Sequence, residues 1–314
     1  MGKAERQRTQ RIHSGAAPSG AKGGLGQHFI KNISVVHNII EKSGIKPTDI
    51  VLEIGPGAGI LTMELLKKAK KVIAIEKDER MVHEIQKKVQ GTEYESHLEI
   101  VYGDFLKVEL PYFDLCVSNV PYVISSGVVF KLLQHRPIFR AAILMFQEEF
   151  TQRLCAKPGD NMYSRISVNT QLLARTQQLL KVGRNNFNPP PKVESRVCRI
   201  EPLNPRPEVN FEEWDGLVNI CFHRKNKTLA AIFKNKSVLE LLQKNYEMYC
   251  ALKDIVPRGD MDIKQVVEEV LNSCWGISGS LGVGELGQQR ASKMSIEDFM
   301  RLLDAFLDRN IHFT

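Results

Sequence analysis

From Ile45 onward, short apolar runs alternate with longer amphipathic stretches. The runs cover residues 50–54, 72–76, 98–102, 115–118 and 141–146, each rich in Val, Ile, Leu or Phe. Continuous apolar runs of this length suit strands buried on both faces, and the amphipathic stretches at 60–70 and 79–89 suit helices laid across them. Strand and helix in alternation predict a parallel sheet covered by helices, an α/β architecture of Rossmann-like type.

Past Phe211 the pattern changes to helical spacing without clear strands. Ile296, Phe299, Leu303, Phe306 and Leu307 form an apolar stripe, and Ser295 with Asp298 supplies both halves of a capping box ahead of it. Pro and Gly thicken at 187–191 and again at 202–207, and the second cluster reads as a linker. The expected organisation is therefore an α/β domain over residues 23–204 and a smaller helical domain over 205–314. Residues 1–22 carry Lys3, Arg6, Arg8, Arg11 and Lys22 against the single acid Glu5, the composition of a disordered basic tail. Such a tail can help bind RNA, act in targeting or be inert. The glycine-rich segment 276–287 lacks the Lys and Ser/Thr that a phosphate cradle requires, and reads as a mobile surface loop.

Composition narrows the partners. A 43% hydrophobic and 25% charged chain is that of an ordinary soluble globular protein, and no apolar run approaches membrane-spanning length. The formal charge of +7 favours a polyanionic partner, RNA or DNA, over a membrane. Six cysteines without a C-x-x-C pair fit a reducing intracellular compartment, and the eight histidines show no metal-ligand spacing, so no metal site is expected.

The candidate chemistry begins with Glu53-Ile54-Gly55-Pro56-Gly57-Ala58-Gly59, a glycine loop between a strand and a helix. Gly55, Gly57 and Gly59 permit the tight turn and close backbone approach that a nucleotide cofactor needs. Their G-x-G-x-G spacing departs from the dinucleotide fingerprint, and an acid stands immediately upstream. A dinucleotide needs a place for its pyrophosphate, whereas S-adenosyl-L-methionine brings a sulfonium and an ammonium, so Glu53 favours the latter over NAD. Glu76, closing the second strand, can accept from ribose hydroxyls. Asp104 can accept from the cofactor's adenine amine or simply cap the turn that follows it. Asn119-Val120-Pro121-Tyr122 then ends the fourth strand, at the sheet edge where ligands bind. An Asn carbonyl and a neighbouring backbone carbonyl can accept the hydrogens of an exocyclic amine while an aromatic ring stacks on the base. Loop and tetrapeptide together point to methyl transfer onto a planar amine.

With these motifs, and with Gly24-Leu25-Gly26-Gln27-His28-Phe29-Ile30 and Asn186-Phe187-Asn188-Pro189-Pro190-Pro191-Lys192-Val193-Glu194-Ser195, the chain resembles the rRNA adenine dimethyltransferase family, in particular its eukaryotic small-subunit branch. The resemblance runs from Gly24 to about Lys253, with Val120 standing where the family usually has Leu. It implies that His28, Ile30, Gly55, Gly57, Glu76, Asp104 and Asn119 hold S-adenosyl-L-methionine. It implies that residues 119–122 are catalytic, and that Tyr122 and Phe187 sandwich the target adenine. It also implies dimethylation of two adjacent adenosines near the 3′ end of small-subunit rRNA, on a pre-ribosomal particle, by a nucleolar monomer whose helical domain docks on RNA or the ribosome. Judged without that resemblance, Phe187 is better explained as a core aromatic beside a proline turn, and the same caution applies to His28.

The stretch 220–236 holds Arg224, Lys225, Lys227, Lys234 and Lys236 with no acid, and reads as a basic helix edge for phosphate or as a solvated face. Three other readings stand beside the enzyme: an assembly factor whose role is non-catalytic, a mitochondrial relative that also assists transcription, and an NAD oxidoreductase. The last leaves Asn119 to Tyr122 without a purpose.

Overall fold

The computed structural model of the chain describes residues 28–256, 262–275 and 284–314. The expected tail at 1–22, residues 24–27 of the first motif and residues 276–283 lie outside the described residues. In chain order the strands are β1 (Phe29–Ile30), β2 (Ile50–Ile54), β3 (Lys71–Glu76), β4 (Leu98–Tyr102), β5 (Leu115–Asn119), β6 (Ala141–Gln147), β7 (Ala174–Val182), β8 (Phe187–Asn188), β9 (Ser195–Pro202), β10 (Cys274–Trp275) and β11 (Gly284–Glu285). The helices are α1 (Ile33–Ser43), α2 (Ile60–Leu66), α3 (Glu79–Val89), α4 (Ser125–Gln134), α5 (Glu148–Cys155), α6 (Arg165–Leu173), α7 (Phe211–His223), α8 (Leu229–Phe233), α9 (Lys236–Leu252), α10 (Ile263–Asn272) and α11 (Ile296–Leu307).

Seven strands form one sheet in the order β4-β3-β2-β5-β6-β9-β7. The five expected strands are the parallel ones, and β9 joins β6 and β7 antiparallel. Chain direction around the sheet reverses between β2 and β5, which opens a crevice at their carboxyl ends. Alternate residues serve opposite faces: Val51, Val72, Val117 and Ile143 pack with Val36 and Ile39 of α1 and Leu65 of α2, whereas Leu52, Ile54, Ile75 and Leu144 belong to a second cluster. Each such aliphatic side chain contributes roughly 1.5–3 kcal/mol on burial.

The second cluster does not stop at the 204–205 junction. It continues from the sheet through Val168 and Leu172 of α6 to Trp214, Phe233, Phe299 and Phe306 of the helical part. Trp214 donates its indole N–H to Asn169 Oδ1 (3.0 Å), and the Tyr163 hydroxyl donates to the Met294 carbonyl (2.9 Å). The α11 helix starts at the expected capping box: Asp298 N–H donates to Ser295 Oγ (3.2 Å) and Ser295 N–H to Asp298 Oδ2 (3.0 Å). Two features differ from expectation beyond residue 211. A short antiparallel ladder joins β10 to β11, and Gly287 is buried. A Cβ at Gly287 would lie 3.2 Å from the Leu271 carbonyl oxygen, so this end of the glycine-rich segment is packed, not a surface loop.

Candidate active site

The crevice between β2 and β5 is a cleft of about 1050 Å³, open solvent included. Its floor is the glycine loop. Gly55, Gly57 and Gly59 have φ of +61°, +55° and +75°, the left-handed region that glycine enters without steric cost. At Gly57 the requirement is double, because an added Cβ would sit 2.5 Å from Cε1 of the Phe29 ring. The β1 strand thus roofs the loop, held there by its antiparallel pairing with β8, Phe29 opposite Asn188 and Ile30 opposite Phe187.

Two carboxylates meet this loop in opposite circumstances. Glu76 is fixed by three backbone donors: Gly57 N–H to Oε2 (3.2 Å), and Lys77 and Asp78 N–H to Oε1 (both 2.9 Å). Glu53 is 1% exposed and its Oε2 has no hydrogen-bond partner. Burial pushes the Glu53 carboxyl up from the usual 4.5 to about 8, and the neighbouring charge of Glu76 adds to the rise. A buried acid with an orphaned oxygen is matched by a cation. This donor set, carboxylates at 53, 76 and 104 beside a cradle that only glycine can form, fits a cationic nucleoside cofactor and disfavours a pyrophosphate. Asp104 also lines the cleft, with Oδ1 accepting the Leu106 N–H at 3.0 Å, so the turn-capping reading holds for that oxygen.

Asn119 ends β5 and donates Nδ2–H to the His28 carbonyl (3.1 Å). With its donor end engaged, the side-chain carbonyl is left as the acceptor. Val120 is buried and donates its N–H to the Met145 carbonyl (3.1 Å), and Pro121 packs beside Gly55. Tyr122 is half-buried; its hydroxyl lies 2.6 Å from Ser195 Oγ, and its ring lies 5.9 Å from the His28 ring at an interplanar angle of 33°. Burial raises the Tyr122 phenol above its ordinary pKa, against the lowering effect of its bond with Ser195.

His28, Ile30, Gly55, Gly57, Glu76, Asp104, Asn119, Val120, Pro121 and Tyr122 therefore line one cleft. Phe187 does not: it is fully buried, packed in the α1 and α2 cluster. The ring facing Tyr122 is His28 instead. Arg224, Lys225 and Lys227 are also elsewhere, in the turn between α7 and α8 and not on a helix edge. Arg224 and Lys227 are exposed, whereas Lys225 Nζ donates to the carbonyls of Asn161 (2.8 Å) and Tyr163 (2.9 Å), so its ammonium secures a loop. Lys234 and Lys236 pair with Glu268 (3.2 Å) and Glu240 (3.7 Å), acids that lie outside the run itself. Sequence reasoning left Phe29 and Ser195 without a role in the site. Both stand in motifs that stood out as unusual, and only their tertiary contacts give them a purpose.

A family model described as "Ribosomal RNA adenine dimethylase" matches residues 19–269. A "Probable dimethyladenosine transferase" of Drosophila melanogaster is 52% identical over 315 residues, covering 100% of both chains. A protein of the same description from Dictyostelium discoideum is 56% identical over 290 residues, 92% of this chain and 89% of that one. The crystal structure of a dimethyladenosine transferase from Plasmodium falciparum superposes with a TM-score of 0.79 at 41% identity, covering 91% of this chain and 100% of the other.

Proposed function

The chain belongs to the ribosomal RNA adenine dimethylase family, and on that footing we propose that it dimethylates two adjacent adenosines in a loop near the 3′ end of small-subunit rRNA, within a maturing small-subunit particle. It is an S-adenosylmethionine-dependent rRNA adenine N(6)-dimethyltransferase. The carrying observation is the convergence of Asn119 and Tyr122 with the glycine loop in one cleft at the sheet's reversal point. The small-subunit substrate is supported by an Arabidopsis thaliana relative described as "Ribosomal RNA small subunit methyltransferase", 46% identical over 328 residues, and the proposal includes a nucleolar location and action as a monomer.

When bound, S-adenosylmethionine supplies a methyl group on a positively charged sulfur. Glu53 would face that cationic end, Glu76 would accept from the ribose hydroxyls, Asp104 would accept from the adenine amine, and His28, Ile30 and Gly55 would close the walls. The target adenine stacks on Tyr122, which contributes about 1–3 kcal/mol toward the few kcal/mol needed to unstack a loop base. Asn119 Oδ1 and the Val120 carbonyl accept the two amine hydrogens. These bonds would draw the nitrogen lone pair out of the ring and toward the methyl group, whose transfer would release S-adenosylhomocysteine and leave one amine proton to be lost to solvent. Orientation therefore carries most of the acceleration, and no dedicated general base is required.

The test is tritiated methyl transfer to small-subunit particles that lack the modification, followed by digestion of the RNA to nucleosides. Wild type is expected to form dimethyladenosine, and Asn119→Ala to lose at least about 10²-fold in rate with the fold intact. Cofactor binding without label in RNA would overturn the reading in favour of a non-catalytic assembly factor.

A further inference from the structure

The segment from Asn188 to Ser195 lines no part of the cleft, yet it holds both rings at the cleft mouth. The Pro189 carbonyl lies 2.9 Å from His28 Nδ1, and Ser195 Oγ lies 2.6 Å from the Tyr122 hydroxyl. Ser195 is fully buried at the first position of β9, paired to Gln147 of β6 on one side and Val182 of β7 on the other. Its hydroxyl is thus located by the sheet. Tyr122, by contrast, opens a one-turn 3₁₀ segment, Tyr122–Ile124, in which no residue is buried. A turn of that kind does not by itself set the angle of an aromatic ring. With its hydroxyl engaged by Ser195, Tyr122 presents a ring face to a ligand.

We propose that Ser195 is a positioning residue for RNA substrate: its hydroxyl holds the Tyr122 ring at the inclination on which the target base stacks. This rests on Tyr122 being the stacking surface. Loss of the hydrogen bond from either end frees the same ring, so the two losses are one loss. The effect belongs to RNA engagement and not to the cofactor, because Ser195 lies off the cofactor's walls.

The experiment measures kcat and KM for under-methylated small-subunit particles, together with the Kd of S-adenosylhomocysteine and the Tm. It uses wild type, Ser195→Ala, Tyr122→Phe, the double variant and Tyr122→Ala. Ser195→Ala and Tyr122→Phe are each expected to raise KM for the particle about tenfold. The double variant is expected to be no worse than either single change, and S-adenosylhomocysteine affinity to stay at the wild-type value. If Ser195→Ala fails to fold, Tyr122→Phe removes the same bond from the solvent side and carries the test alone. Additive losses in the double variant, an unchanged KM in both singles, or a loss confined to cofactor affinity would overturn the proposal. Tyr122→Ala separates the two layers. A full effect there with silent Ser195→Ala and Tyr122→Phe sinks the positioning role only, whereas a silent Tyr122→Ala sinks the stacking reading and the proposal with it.

Discussion

Glu53 is buried in the empty-handed state of an acid: one oxygen has no partner and the nearest charge is another carboxylate. Because its pKa rises from 4.5 to about 8 on folding, the folded chain binds more protons than the unfolded chain between those values. The Glu53 contribution to stability is therefore full below pH 4.5, falls as pH rises through the interval at up to about 1.4 kcal/mol per unit, and levels off above 8. Glu53→Gln removes that titration. Relative to wild type, its stability is expected to rise across the same range and to exceed wild type at pH 8, as read by urea midpoints; parallel slopes for the two proteins would disprove it. At Gly57, alanine meets both the positive φ, a cost of about 1–2 kcal/mol, and the Phe29 ring at 2.5 Å. Calorimetry on Gly57→Ala should show S-adenosylhomocysteine affinity at least about tenfold weaker. Glu76, Gly57 and Asn119 were legible because their chemistry follows from residue type and from position at a strand end. Ser195 and Lys225 were not, since what each hydroxyl or ammonium touches is decided by chain 73 or 62 residues away.

Among the elements, the five parallel strands could be read almost to the residue because each is a short, mostly apolar run, with Gly following β2 and β4 and Asn closing β5. The antiparallel β7 and β9 could not. Gln177, Gln178 and Lys181 on one, and Arg196, Arg199 and Glu201 on the other, give half-exposed strands whose polar content masks the alternation, and a bulge between Gln178 and Leu180 breaks the period. Phe187 shows the same limit from the other side: a two-residue strand has no pattern of its own, and only tertiary packing in the α1 and α2 cluster decides where the ring lies. Helix α11 was readable because its cap is local. Ser295→Ala should cost about 1 kcal/mol in chemical denaturation, and Asp298→Ala, which removes the reciprocal bond, should not add fully to it.

At the scale of the molecule, sheet and helices share one core that runs from Leu52 to Phe313. Trp214 lies at the seam, fully buried and bonded to Asn169 of α6. Trp214→Ala should destabilise by about 3–5 kcal/mol. Both parts should still melt together, with hydrogen exchange in β5 and α11 rising at one common midpoint; separate midpoints would show two independent folding units. The roof over the glycine loop has a different kind of reach. It joins His28 to Pro189 across 161 residues, and the same His28 carbonyl pins Asn119. On a translating ribosome, the five parallel strands with Glu76, Asp104 and Asn119 all emerge before the segment that fastens β1. A nascent chain halted after β6 carries the carboxylates, the asparagine and His28, but its first strand lacks β8 to pair with, so the His28 carbonyl that meets Asn119 is not yet fixed in place. A complete cleft is therefore expected only after β8 has been made, late in synthesis.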